Sequence, residues 1–286
     1  MSLGRWLVKK AARYCCVAGS SVRAVASAPR TPMVHALMYH RIRRAPRDPF
    51  SVTPEAFAAQ MGWLAEQGLA VGLETVADVV QGTRRLERNA VLVTLDDGSP
   101  DWITEALPTL KRYRIPAVAF VTVGRVEERG GGQRSEAGDE VFLSWREIEA
   151  LAAGGVTIAS HGWDHVSLAG LEQSAMREQA ERSRTVLQQR LGQSVAAFAY
   201  PFGTRRDFNT TTARILKEAG YRLVFTAQHG AIVPGTDPFA LPRVKIEGGE
   251  GMWMFRRIAV GRLDGWTLVD RLLWGLQASE GRCVGL

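Results

Sequence analysis

Val91-Leu92-Val93-Thr94-Leu95-Asp96-Asp97-Gly98 sets a buried-type apolar strand directly against two carboxylates and a glycine. Adjacent strand side chains point to opposite faces, but a turn at Gly98 can swing both carboxylates toward one pocket. Two carboxylates desolvated together repel each other unless a cation neutralises one. Taken alone, the pair also reads as a helix cap.

Outward from this segment, short apolar runs alternate with helical periodicity. The runs 34–39, 90–95, 117–122, 156–159, 195–199 and 222–226 are rich in Val, Ala, Leu and Phe, as buried parallel strands are. Helices are expected at 54–67, 74–82, 101–113, 145–153, 171–191, 209–219 and 264–278. Thr53-Pro54 supplies an N-cap and an N1 proline, and Ser99-Pro100 repeats the pattern. Residues 124–140, charged and glycine-rich, read as an exposed insertion. Strand–helix alternation predicts an α/β fold with a parallel sheet, open or closed into a barrel. In such folds chemistry gathers at the C-terminal edge of the strands.

Three more strand ends carry polar groups. Val156-Thr157-Ile158-Ala159-Ser160 runs into His161-Gly162-Trp163-Asp164-His165. Two histidines four apart can place both imidazoles on one side of a turn. With Asp97 they make a two-histidine, one-carboxylate set that leaves positions open for water and substrate, suited to catalytic Zn²⁺ or another divalent ion. Ala36-Leu37-Met38-Tyr39 ends in His40, and His229 follows the 222–226 run. Position does not separate these two histidines, while His35 reads as structural. Phe198-Ala199-Tyr200-Pro201-Phe202-Gly203 ends another strand in a turn that can present backbone donors for an oxyanion.

The chain has 286 residues, 46% hydrophobic and 23% charged, which excludes a disordered or collagen-like chain. Cys15, Cys16 and Cys283 form neither a disulfide framework nor a metal knuckle. No stretch approaches the roughly 18 apolar residues of a membrane span. Ten basic and no acidic side chains precede Asp48, against a whole-chain net charge of +7, so the remainder carries −3. The basic character is therefore a terminal property. It reads as a solvated arm, or as one that makes peripheral contact with an anionic membrane. No motif supports nucleic acid binding. Tyr14–Val22 is a poor signal-peptide core, broken by Gly19, Ser20 and Ser21. We expect a cytoplasmic, membrane-peripheral protein, with a secreted or periplasmic location left open, and an arm dispensable for catalysis.

These segments together resemble the polysaccharide deacetylase family, the NodB-type metal-dependent carbohydrate esterases. Thr94-Leu95-Asp96-Asp97-Gly98 is similar to the family's T-F-D-D-G motif, His161-Gly162-Trp163-Asp164-His165 to its H-x-x-x-H motif, and Tyr200-Pro201-Phe202-Gly203 to its P-x-G segment. Leu37-Met38-Tyr39-His40 and Leu241-Pro242-Arg243-Val244 resemble a branch whose catalytic histidine comes first in sequence. The likeness spans roughly residues 34–248.

The resemblance implies an irregular (β/α) barrel in a single domain at 33–248, with a basic arm at 1–32 and a helical extension at 249–286. It implies Asp96 as general base, His40 as general acid, and Asp97, His161 and His165 as ligands of a divalent metal, Zn²⁺ first. The activity implied is removal of N-acetyl groups from an amino-sugar polysaccharide or its lipid-linked precursor. An O-acetyl esterase and a non-catalytic metal- or sugar-binding protein are the alternatives. Tyr200 would sit near an oxyanion, and Trp163 or Trp102 could stack on a sugar, with core packing the commoner role for a tryptophan. The arginine that often precedes the third motif is missing, since Phe198 and Ala199 stand there. Arg243 is the candidate replacement, and no D-x-x-D-W motif is present.

Overall fold

The computed structural model describes residues 8, 10–18, 31–45, 48–128 and 142–272. Its centre is a seven-stranded parallel sheet: β1 (Val34–Tyr39), β4 (Ala90–Asp97), β5 (Ala117–Val121), β6 (Val156–Ser160), β7 (Ala197–Ala199), β8 (Leu223–Phe225) and β9 (Val244–Lys245). Their order is β8-β7-β6-β5-β4-β1-β9. A two-residue parallel pair, β2 (Arg41–Ile42) with β3 (Ser51–Val52), lies beside it.

The two sheet edges are drawn together by one segment. Leu241 bridges to Phe225 of β8, and Thr226 N–H donates to Leu241 O at 2.8 Å. Three residues later Val244 pairs with Leu37 of β1. The sheet curls into an irregular barrel, as the resemblance implied.

Alternation explains the two cores. Val91, Val93 and Leu95 face an outer cluster, while Val34, Ala36, Leu92, Phe120, Ala199 and Phe225 fill the inner one. Asp96 shares the inward parity of Leu92. The outer cluster packs beneath α2 (Pro54–Gln67), α4 (Leu107–Tyr113), α6 (Trp145–Ala153), α7 (Gln173–Leu191), α8 (Thr210–Glu218) and α9 (Met252–Ala259). Helix α3 (Leu73–Val80) gives Val76, Val79 and Val80 to the inner cluster. Helix α10 (Trp266–Leu272) follows, with Trp266 in the outer core.

Most expected elements lie within two residues of those observed. Thr53 caps α2 through its side chain, a contact worth about 1 kcal/mol. Ser99 does not cap: its Oγ donates to Asp101 Oδ2 at 2.8 Å. The helix beyond opens as a π turn, Trp102–Ala106, with Leu107 N–H reaching back to Trp102 O. Pro108 follows with no N–H for an ordinary α bond, which accounts for the wide turn. The expected insertion at 124–140 begins as a short helix, α5 (Val123–Glu128), and 129–141 lie outside the described residues. So do Cys283 and the expected helix beyond 272. Helix α9 lies within the expected helical extension, though no separate helix was expected at those residues.

The basic arm departs from a solvated one. Residues 10–18 form a helix, α1, docked on the C-terminal elements. Lys10 Nζ donates to Gly248 O at 2.5 Å. Arg13 is buried, with Nε 2.6 Å from Glu250 Oε1 and Nη2 3.0 Å from Lys245 O. These two cations are absorbed by the fold. The rest of 1–32 lies largely outside the described residues.

Candidate active site

All seven strands run the same way, so their C-terminal ends share one mouth. A cavity of about 620 Å³ opens there. Its walls include His40 after β1, Asp96 and Asp97 at the end of β4, His161 and His165 after β6, Tyr200 after β7, and Arg243 with Lys245 on the closing segment.

Asp97, His161 and His165 converge. Asp97 Oδ1 lies 3.4 Å from His161 Nε2 and 3.3 Å from His165 Nε2, and one ligand atom from each lies within 4.8 Å of the others. Asp97 breaks strand parity through a positive φ of 85°, which turns its carboxylate toward the histidines. His165 and Phe202 also sit at positive φ, 59° and 60°. Three of the four non-glycine residues in this conformation among the described residues therefore belong to the site. Each costs on the order of 1–3 kcal/mol, held by the surrounding structure.

Hydrogen bonds hold the ligand loop. His161 Nδ1 lies 2.8 Å from Ala199 O, so that nitrogen carries the proton and Nε2 offers its lone pair. Gln179 of α7 clamps the loop: its Oε1 accepts from Trp163 N–H and Asp164 N–H, and its Nε2 donates to Asp164 Oδ2. Two imidazoles and one carboxylate, one imidazole oriented by a carbonyl, fit a divalent cation with open positions. In the chain alone, burial pushes the Asp97 carboxyl up, but hydrogen bonds from His161 and His165 outweigh it and hold it well below the usual range. For His165, burial lowers the pKa, and the Asp97 hydrogen bond and charge more than reverse that.

Asp96 stands beside the triad on a different support. Arg243 Nη1 and Nη2 lie 2.6 and 2.7 Å from Asp96 Oδ1 and Oδ2, both side chains buried. Arg243 Nε donates to Thr226 O and Nη1 to Thr94 Oγ1, which fixes the fork. Burial pushes the Asp96 carboxyl up, yet Arg243, His161 and His40 bring it below its ordinary value. Asp96 is thus charged and oriented at neutral pH. Arg243, presented by the closing segment, is the arginine that orients Asp96 in this chain.

His40 lies on the cavity wall, its carbonyl accepting from Trp102 Nε1 at 2.6 Å and its ring edge-on to Phe50 at 4.9 Å. Its Nδ1 is buried with no hydrogen-bond partner among the described residues. Burial drives its pKa down to about 4, against the opposing charges of Asp97 and Asp96. His229 lines the cavity too, but beside Arg13, Asp264 and His35 rather than the aspartate pair, and its backbone N–H donates to Asp270 Oδ2. The surroundings, unlike the sequence positions, separate the two.

Two aromatic expectations change. Trp163 is buried in the outer core with Arg182 stacked on its ring at 3.7 Å, so it offers no face to a sugar. Trp102 is fully buried and serves His40. The Tyr200 N–H donates to Phe225 O, continuing the β7–β8 ladder, and its hydroxyl donates to Phe239 O, so neither group is available to an oxyanion. Phe202 takes the open position instead, 40% exposed with its ring 4.8 Å from His165. Sequence reading also missed Gln179, Phe50 and Lys245, whose Nζ sits 3.4 Å over Phe50. Gln179 left a trace, a polar residue on the buried stripe Met176, Ala180, Ser183, Leu187.

The chain is similar to known proteins. A family model described as "Polysaccharide deacetylase" matches residues 83–224. Poly-beta-1,6-N-acetyl-D-glucosamine N-deacetylase of Staphylococcus aureus (strain MRSA252) is 23% identical over 234 residues, covering 74% of this chain and 78% of that protein. The protein of the same name from Escherichia coli (strain K12) is 24% identical over 256 residues, 77% of this chain. The matched region is only 37% of that longer protein. Among solved structures, IcaB from Ammonifex degensii superposes with a TM-score of 0.68 at 27% identity, covering 82% of this chain and 98% of that one. Streptococcus pyogenes deacetylase PplD in complex with acetate shares the fold, with a TM-score of 0.69 at 22% identity over 80% of this chain and 97% of that one.

Proposed function

Because the chain belongs to the polysaccharide deacetylase family, we propose that it is a metal-dependent hydrolase that removes N-acetyl groups from an amino-sugar polysaccharide and releases acetate. The observation that carries this reading is the buried, Arg243-held Asp96 next to the Asp97–His161–His165 cluster. A site that only holds a metal has no need of a second, separately oriented carboxylate.

A divalent cation, zinc first, held by Asp97, His161 and His165 would lower the pKa of a water and polarise the acetamide carbonyl. Asp96 takes the proton from the attacking water. Arg243 keeps its carboxylate charged and its oxygens aimed. The departing sugar nitrogen needs a proton, and His40 is the cavity group placed to deliver it. His40 is neutral in the resting protein; it takes one proton from cavity solvent and passes it to the nitrogen as the C–N bond breaks, while Asp96 keeps the proton of the attacking water until it is returned to solvent. Its low pKa then makes it a ready donor. A lipid-linked precursor carrying the same acetamide would be processed by the same groups.

Acetate release from N-acetylated oligosaccharides, with and without chelator, tests this. The names of the relatives put poly-β-1,6-N-acetylglucosamine first in the panel. Activity should vanish with chelator, return with Zn²⁺, and disappear in His161→Ala/His165→Ala. Asp96→Asn should retain the metal and lose about 10²–10⁴-fold in rate. Acetate release indifferent to chelator and to the double substitution would overturn the assignment, and release from O-acetyl sugars alone would make it an esterase.

A further inference from the structure

Helix α1 is built inside out. Its charged residues Lys10 and Arg13 point into the protein, with Val17 on the same buried side. At 100° per residue, Ala11, Ala12, Tyr14, Cys15 and Ala18 share the opposite arc, and all five are exposed. Val8, ahead of them, is 70% exposed. The patch continues onto α9: Tyr14 stacks on Trp253, ring centroids 5.7 Å apart, and Trp253 is itself 47% exposed. Arg257 lies 3.9 Å over the Trp253 ring. Leu268 on α10 is a further exposed apolar residue. Of the five exposed large hydrophobic side chains among the described residues, three fall on these helices and Val8 lies just ahead of α1. The fifth is Phe202, at the active site.

We infer that this face lies in the interface of an anionic lipid bilayer. An ordinary amphipathic surface helix turns its apolar stripe to the core. Here the Arg13 and Lys10 bonds fix the reverse orientation, so the apolar arc faces outward by construction. Charge selects the occupant. Residues 1–18 carry four basic and no acidic residues, Arg5, Lys9, Lys10 and Arg13, and Arg256 and Arg257 follow Trp253 on α9. A negatively charged surface with an apolar interior matches both properties. Trp and Tyr prefer the headgroup level, and a guanidinium beside the indole reaches phosphate from there. The contact expected from basic charge alone is thereby recast: two of those charges orient the helix, and the apolar arc with Trp253 makes the contact. This surface stands independently of what the cavity hydrolyses.

The test is co-sedimentation of the full chain with vesicles of phosphatidylglycerol and phosphatidylcholine, against vesicles of phosphatidylcholine alone. The chain should partition to the anionic vesicles and release as salt rises. Tyr14→Ser/Trp253→Gln should lower partitioning by about tenfold. Both side chains are at the surface, so melting temperature and acetate release from a soluble oligosaccharide should stay at the parent values. Equal sedimentation of parent and variant, or no binding to anionic vesicles, overturns the proposal. So does a dimer in light scattering that the variant loses, since the face would then be covered by a second copy.

Discussion

Arg243 and Asp96 meet fork to fork, at 2.6 and 2.7 Å, across 147 residues of sequence and inside the barrel. A bidentate pair of this kind sets angle as well as charge. Arg243→Lys keeps the charge but loses the fork. We expect kcat to fall by about 10²-fold with KM and metal content near the parent values. Arg243→Met leaves Asp96 buried without compensation and should cost about 3–5 kcal/mol in unfolding. Kinetics, metal analysis and denaturant melts check both. A lysine variant with parental kcat would remove Arg243 from the positioning role.

The two cavity histidines should part by substrate. His40→Ala should cut kcat strongly for an acetamide and less for an ester with a good leaving group, which departs without a proton. His229→Ala should be mild on both. The ratio of amide to ester activity in the two variants decides, with metal content measured alongside. A selective amide loss in the His229 variant would reverse the assignment.

Acid should weaken the fold through these same residues. Burial lowers His229 to about 3 and His40 to about 4, from an ordinary value near 6.5. Between those values the unfolded chain binds more protons than the folded one, so stability rises with pH across the window and is lost as pH falls through it. By pH 5 one such histidine costs on the order of 2 kcal/mol relative to pH 7. His229→Asn should flatten this slope in urea melts between pH 4.5 and 7. An unchanged slope would show that His229 is not neutral in the folded state.

The N-terminal helix should matter to catalysis, contrary to what its composition suggests. Arg13 donates to Lys245 O and pairs with Glu250, holding the segment that also presents Arg243. Arg13→Met strands Glu250 in a buried site and should lower stability by about 3–5 kcal/mol. The chain begun at residue 31 should lose kcat more than it raises KM. A truncated chain with parental kcat and melting temperature would return the arm to a solvated appendage.

Much of this was readable before the structure. Parallel strands buried on both faces write themselves as continuous apolar runs, which is why β1, β4, β5 and β6 stood out. The cluster Asp97, His161 and His165 was visible because its members follow the ends of such runs. The short strands β2, β3 and β9 carry two residues each, too few for any period to show. Arg243 could be named as a candidate, but its partner depended on where the closing segment lies. For Trp163 the sequence left sugar stacking and core packing both open, and only Arg182 on its face decides for the core. The arm was misread because net charge says nothing about direction, and acceptors for Lys10 and Arg13 lie more than 200 residues away.

The segment Leu241–Lys245 ties β8 to β1 and carries Arg243. Val244 lies 207 residues beyond its partner Leu37. Pairing over such a separation is slow relative to local contacts. Until it forms, the sheet keeps two open edges and Asp96 has no countercharge. Competence for hydrolysis therefore arrives with the final seam rather than accumulating with helix content. In a refolding experiment the helical signal should recover first and acetate release later, together with protection of the β1 and β8 amides. A nascent or partly unravelled chain is then inert, and the completed barrel switches itself on.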